Sequence, residues 1–278
     1  MIAAGAAPVR PIAIGAIAHT ALGSAGGVAR VLARLTASTY LTAGDQITWL
    51  GAATAPLHPR AILVADAPIV RTDELQVLTE GLSPWHPCTP RLDVTTAGAL
   101  IGNWGRLLDD VARLGMPAGF GVRLAGRTPG WPLTAAAATA DTLASACARD
   151  DPADATAAAV ALLGVGGGLT PSGDDFVGGT LFARRLLAEA GLVDSAAWRH
   201  TAHTILAAAP SRTHAISVAL LGDLAAGLGW APLHDLVAAL VAGASDTADA
   251  AARRLVRLGH TSGWDLLAGL GVGLGTRS

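Results

Sequence analysis

Two adjacent carboxylates, Asp174 and Asp175, follow a glycine-rich run within residues 164–179, which read G-V-G-G-G-L-T-P-S-G-D-D-F-V-G-G. Carboxylates of this kind can move a proton or hold a hard cation. Gly166, Gly167 and Gly168 would let a ligand approach the backbone closely. Thr170-Pro171 reads as a preferred N-cap followed by proline at the first helical position, and Ser172 with Asp175 is the alternative capping box. In either case a helix starts here, with Ser172 and Gly173 in its first turn. Its free N–H groups and positive dipole end favour a phosphate or carboxylate. Two acids in that turn repel an anion unless a metal bridges them to it, so Asp174 and Asp175 with magnesium form the expected metal site. The competing expectation is a glycine turn that lets two helices pack closely, with the aspartates serving the helix dipole.

The same frame recurs ninety positions later. Residues 172–179 and 262–269 share S-G-x-D-x-x-x-G, and Thr170 and Thr261 precede them. Two such helix starts would supply donors and carboxylates from both sides of a cleft, or they would merely repeat a capping solution. His260, just before the second frame, and Asp265 within it join Asp174 and Asp175 as candidate catalytic groups. A third helix start is expected in P-S-R-T-H, where Ser211 caps while Arg212 offers a fork for carboxylate or phosphate, with Thr213 beside it. The candidate substrate-binding set is therefore Gly166, Gly167, Gly168, Thr170, Ser172, Gly173, Arg212, Thr213, Thr261 and Ser262. His200 and His203 lie three apart on a helix without an H-E-x-x-H frame, and read as solvated surface residues.

The elements that must position these groups follow from periodicity. The fold class expected is α+β: a small β-rich N-terminal domain over 1–93, then a larger α-helical domain over 94–278. Short apolar runs at 11–18, 39–49 and 61–65 read as strands, with Gly44-Asp45 turning the second, and residues 26–37 read as one short helix. The proline-bearing stretch 83–90 marks the junction. Helical spacing begins at Thr95, breaks over 115–132 and resumes at 133–149. Helices are then expected near 153–164, 174–190, 195–208, 212–228, 233–243, 245–258 and 264–274.

Composition removes several function classes. All nineteen basic residues are arginine, so neither a Walker-type phosphate loop nor a pyridoxal Schiff base is available. The net charge of −2 offers no broad basic face, and nucleic acid is not an expected partner. Cys88 and Cys147 form no C-x-x-C pattern, which argues against a disulfide framework or a cysteine zinc site. The uncharged run 11–29 contains a proline, four glycines and polar residues, so neither a membrane span nor a signal peptide is expected, and the cytoplasm is the expected location.

Taken in order, G-G-G-L-T-P-S-G-D-D-F-V-G-G, S-R-T-H-A-I-S-V-A-L-L and G-H-T-S-G-W-D-L-L-A-G-L resemble the AllH-type family, over about residues 155–275. The resemblance implies a subunit of oxamate carbamoyltransferase in anaerobic allantoin degradation, working beside an FdrA-like and an AllG-type subunit. It implies interconversion of oxalurate plus phosphate with oxamate plus carbamoyl phosphate. The rival expectations are a non-catalytic assembly subunit and a small-anion sensor. The family supplies no settled catalytic residues, so the candidate set rests on the residues themselves.

Overall fold

The computed structural model describes residues 8–66 and 70–276, and the chain divides into two compact units after Cys88. The first unit holds β1 (Ala13–Ile14), α1 (Ala16–Ser24), β2 (Val28–Arg34), β3 (Ser38–Ala43), β4 (Gln46–Ala52), β5 (Ala61–Val64) and β6 (Glu74–Gln76). The strands form one sheet in the order β1-β5-β4-β3-β2-β6, antiparallel throughout except for the parallel pair β4–β5. Gly44 turns β3 into β4 with φ +60°, as the Gly44-Asp45 signal requires. Alternation sends Leu41, Ala43, Leu50 and Ile62 to one face, where α1 covers them with Ala18, Ala21 and Leu22.

Two expectations for this unit are corrected. Most of the apolar run 11–18 is not a strand: after the two residues of β1 it becomes α1, whose buried Ala18, Ala21 and Leu22 follow helical spacing. The stretch 26–37 is not a helix. Gly26 and Gly27 both have positive φ, which ends α1, and Val28 and Val31 then enter β2 between β3 and β6.

The second unit is helical. It comprises α2 (Val94–Leu108), α3 (Ala137–Ala148), α4 (Pro152–Leu162), α5 (Ser172–Glu189), α6 (Ser195–Ala208), α7 (Ala215–Ala225), α8 (Ala231–Ala242), α9 (Ser245–Leu255) and α10 (Ser262–Gly273). A 3-10 segment, Gly119–Ala125, bridges α2 and α3 within the stretch expected to be irregular. Asp93 and Thr96 close a capping box on α2, with the Thr96 N–H donating to the Asp93 carboxyl at 2.8 Å. Asp151 and Asp194 cap α4 and α6 with their side chains alone, each accepting two backbone N–H groups of the first turn.

Around this frame, α5 and α10 form the centre. Every residue from Ser172 to Arg184 is buried, as is every residue from Gly263 to Gly273. A helix buried on all sides has to be small or apolar at nearly every position, and these stretches are rich in glycine and leucine, with two phenylalanines in α5. Phe120 and Phe176 stack at 4.8 Å, joining the 3-10 segment to α5. No helix among the described residues is long and apolar enough to cross a membrane.

Candidate functional site

Helices α5 and α10 run parallel, so both N-termini lie at the same end. The direction follows from which residues meet: Phe176 and Thr180 of α5 face Gly269, and Thr180 with Ala183 face Gly273. The pair closes because neither helix carries a side chain where the backbones touch. A Cβ on Gly179 would stand 2.4 Å from the Leu266 carbonyl oxygen, and one on Gly269 would stand 2.0 Å from that of Phe176. The Thr180 hydroxyl adds a cross-link, donating to the Gly269 carbonyl at 3.2 Å.

At the shared end four hydroxyls interlock. Thr170 Oγ1 lies 3.2 Å from Ser262 Oγ, and Ser172 Oγ lies 3.1 Å from Thr261 Oγ1. The two S-G-x-D frames therefore engage each other, each serine reaching the threonine that precedes the other. The expected caps are corrected, however. Pro171 occupies the N-cap of α5, Thr261 that of α10, and neither helix has a side-chain cap. The serines and threonines are spent across the helix pair, and part of the capping is done by backbone. The Gly173 N–H donates to the Val165 carbonyl at 2.8 Å, and the Gly263 N–H to that of Leu258 at 3.1 Å.

The carboxylates below the hydroxyls are buried. Asp175 is 3% exposed and Asp265 is 0% exposed. The Ser262 hydroxyl lies against Asp175, and the Ser172 and Thr261 hydroxyls lie against Asp265, so the contacts are again reciprocal. Asp265 Oδ1 also accepts the Phe120 N–H at 2.6 Å. The Oδ2 atoms of both residues have no hydrogen-bond partner among the described residues. Burial raises the Asp265 carboxyl to about 7, against the pull of the Phe120 N–H and the two hydroxyls. Burial likewise raises Asp175 well above the usual carboxylate range. The Ser262 hydroxyl opposes that rise, and the charges of Asp265 and Asp174 add to it.

Asp174 goes elsewhere. Its Oδ1 accepts the Gly164 N–H at 2.7 Å, while Oδ2 accepts the hydroxyls of Thr213 and, at 2.6 Å, Ser217. Successive residues on a helix point about 100° apart, so Asp174 faces the glycine loop and α7 while Asp175 faces α10. Asp174 fastens the loop to α7, and the carboxylate that joins Asp175 is Asp265. Thr213 thus enters the neighbourhood through Asp174.

The remaining candidates are placed less centrally. Gly166 packs against Ser172, whereas Gly167 and Gly168 are exposed with open space where a side chain would lie. Arg212 is exposed, and its main-chain carbonyl lies where a side chain on Gly164 would have to go. His260 is exposed at the turn before α10. Ser211 does not cap α7: it sits in a 3-10 turn with its hydroxyl donating to the Ala208 carbonyl at 2.9 Å. The cap is His214, whose Nδ1 accepts the Ile216 N–H at 3.2 Å. His200 and His203 are exposed, in keeping with a solvated helix face.

Ser217 and Phe120 were absent from the candidate set. Ser217 had a readable signal, since it lies four residues after Thr213 and is the one hydroxyl in α7. Phe120 contributes its backbone N–H, for which no residue type could be a signal.

The geometry defines a helical domain organised around two like helix starts with interlocked hydroxyls and a buried carboxyl pair. Such an end can place a small anion at helix N-termini, a hard cation between carboxylates, or a proton near neutrality. Residues 162–274, from the end of α4 through α10, match the family model described as oxamate carbamoyltransferase subunit AllH. The resemblance carried by T-P-S-G-D-D and T-S-G-W-D therefore holds over this span. No curated protein and no solved structure matches the chain.

Proposed function

We propose that this chain is a subunit of an oxamate carbamoyltransferase in allantoin breakdown, acting with FdrA-like and AllG-type partners. It interconverts oxalurate plus phosphate with oxamate plus carbamoyl phosphate, binding a small carboxylate or phosphate at the paired starts of α5 and α10. The observation that carries this reading is the reciprocal engagement of the two S-G-x-D helix starts, within the span that matches the AllH family. Two positive dipole ends and four hydroxyls suit a small anion, and the open backbone at Gly167 and Gly168 leaves room beside them.

In the forward reaction a phosphate oxygen bonds to the carbamoyl carbon of oxalurate, the carbon–nitrogen bond breaks, and the departing nitrogen takes up a proton to give oxamate. Asp175 and Asp265 are the carboxyls at these helix starts that would hold a cation or move that proton. The purified chain with its partner subunits is expected to form carbamoyl phosphate from oxalurate and phosphate. Full activity in an Asp175→Ala, Asp265→Ala double variant would remove the carboxyl pair from the reaction.

The near-complete burial of Asp175 and Asp265 favours a second reading, a non-catalytic assembly subunit whose motifs close a helix pair. On that reading, changes in the motifs lower stability and complex formation together and leave turnover per assembled complex intact. Melting shifts with oxamate, oxalurate or phosphate, without turnover in the full complex, would instead mark an anion sensor.

A further inference from the structure

Asp175 and Asp265 each leave one buried carboxyl oxygen without a use inside the protein. Each is more than nine-tenths buried, and each leaves Oδ2 without a hydrogen-bond donor among the described residues. A buried carboxyl avoids the cost of an uncompensated charge either by keeping its proton or by facing a cation. They occupy equivalent positions of the two S-G-x-D frames, on parallel helices whose N-termini are cross-linked by hydroxyls. The orphan oxygens are thus part of one repeated arrangement, not two unrelated faults of packing.

We infer that Asp175 and Asp265 together hold one divalent cation of the magnesium class between the starts of α5 and α10, liganded by their Oδ2 atoms and by hydroxyls of the surrounding serines and threonines. The donor set selects the metal. Every candidate ligand is a hard oxygen, which suits magnesium, and because no three histidine, cysteine, aspartate or glutamate side chains are grouped to hold a metal ion among the described residues, the protein would supply two carboxylates and the rest of the shell would be hydroxyls and water. Magnesium is commonly held by one or two carboxylates and completes its shell with water or substrate oxygens. A hydroxyl engaged in a hydrogen bond keeps a lone pair, so the paired serines and threonines of the two frames can serve as neutral oxygen ligands beside the carboxylates. Asp174 is not a ligand here, because its oxygens are already taken by Gly164, Thr213 and Ser217.

This inference uses the same helix starts as the proposed function, but its test needs neither substrate nor partner. The full chain, freed of metal with a chelator, is titrated with manganese as the probe and followed by electron paramagnetic resonance of the free ion. One manganese per chain, displaced by magnesium, is expected. Asp175→Asn and Asp265→Asn are each expected to weaken it at least about tenfold, while Asp246→Asn, an exposed carboxylate at the start of α9, leaves it unchanged. Far-UV circular dichroism checks that the variants fold. Where one does not, ferrous ion with ascorbate on the wild-type chain maps the site by cleavage, expected near residues 172–175 and 262–265. Absence of stoichiometric manganese binding at millimolar concentration, binding unaltered in both folded asparagine variants, or cleavage elsewhere overturns the inference. Carbamoyl phosphate formation by the full complex is read separately, so loss of the metal site and loss of the proposed reaction are distinguishable.

Discussion

Gly179 and Gly269, ninety positions apart in the chain, stand against each other's helices in the same way. Gly179 abuts the Leu266 carbonyl and Leu270 nitrogen, and Gly269 abuts the Phe176 carbonyl and Thr180 nitrogen, residues that are themselves ninety positions apart. The sequence echo is therefore a local two-fold relationship between α5 and α10.

That relationship predicts matched costs. Gly179→Ala and Gly269→Ala should each destabilise the chain, by about 1–3 kcal/mol, since the new methyl meets backbone that cannot turn aside. Gly222→Ala in α7 has nothing within 4 Å of the new methyl, and should be neutral or stabilising by roughly 0.5–1 kcal/mol. Urea unfolding of the three variants checks both halves. A harmless Gly269→Ala would contradict the close helix contact.

Asp174 and Asp175 should separate by phenotype despite being neighbours. Asp174→Ala strips a common partner from the Gly164 N–H and the Thr213 and Ser217 hydroxyls, so a loss of roughly 3 kcal/mol is expected in a denaturant melt. The reverse pattern, a stable Asp174→Ala chain, would mean the loop is fastened by other contacts.

Asp175→Asn and Asp265→Asn keep shape while removing the carboxylate, and they should act mainly on turnover. In the complex with partner subunits, each is expected to lower kcat by about 10²–10⁴-fold, the two falling within roughly tenfold of each other. Unequal effects, with one variant near wild type, would show that the two-fold likeness does not extend to function.

His234 makes stability depend on pH. Its ring is buried, Nε2 accepts the Gly229 N–H at 3.0 Å, and Thr89 lies 2.5 Å from Nδ1. Burial lowers the imidazole to about 4, against the nearby Asp235 charge and the Gly229 contact. Between about 6.5 and 4 the unfolded chain binds the extra proton and the folded chain does not, so stability rises with pH across that window and is lost as pH falls. The contribution is on the order of 2–3 kcal/mol at neutral pH relative to pH 4. Comparing wild type with His234→Gln by denaturant melts at pH 4.5 and 7.5 isolates it. An identical pH slope in both would refute the assignment.

Much of the helical unit was legible in the sequence because its signals are local. Asp194 before α6, Gly243 after α8 and Pro152 opening α4 act within one turn, and those helix ends followed from them. The first unit was harder. Alanine-rich text such as A-I-A-H-T-A-L suits a short helix as well as a buried strand, and V-A-R-V-L-A-R became a strand because β3 and β6 flank it. For the site, the repeated S-G-x-D frame and the family resemblance were legible in residue order, but the partners of each acid were not.

The sequence by itself determined that two like helix starts exist, that each carries a serine, a glycine and an acid, and that no lysine-based chemistry is available, because these are matters of residue type and short spacing. Only the tertiary structure decided that the two starts meet side by side, that Asp174 is spent holding the glycine loop to α7, and that Asp175 and Asp265 form the buried pair. The physical reason is rotational. Adjacent side chains on one helix leave its axis about 100° apart, and which neighbour each then meets is set by where glycine allows another helix to close in.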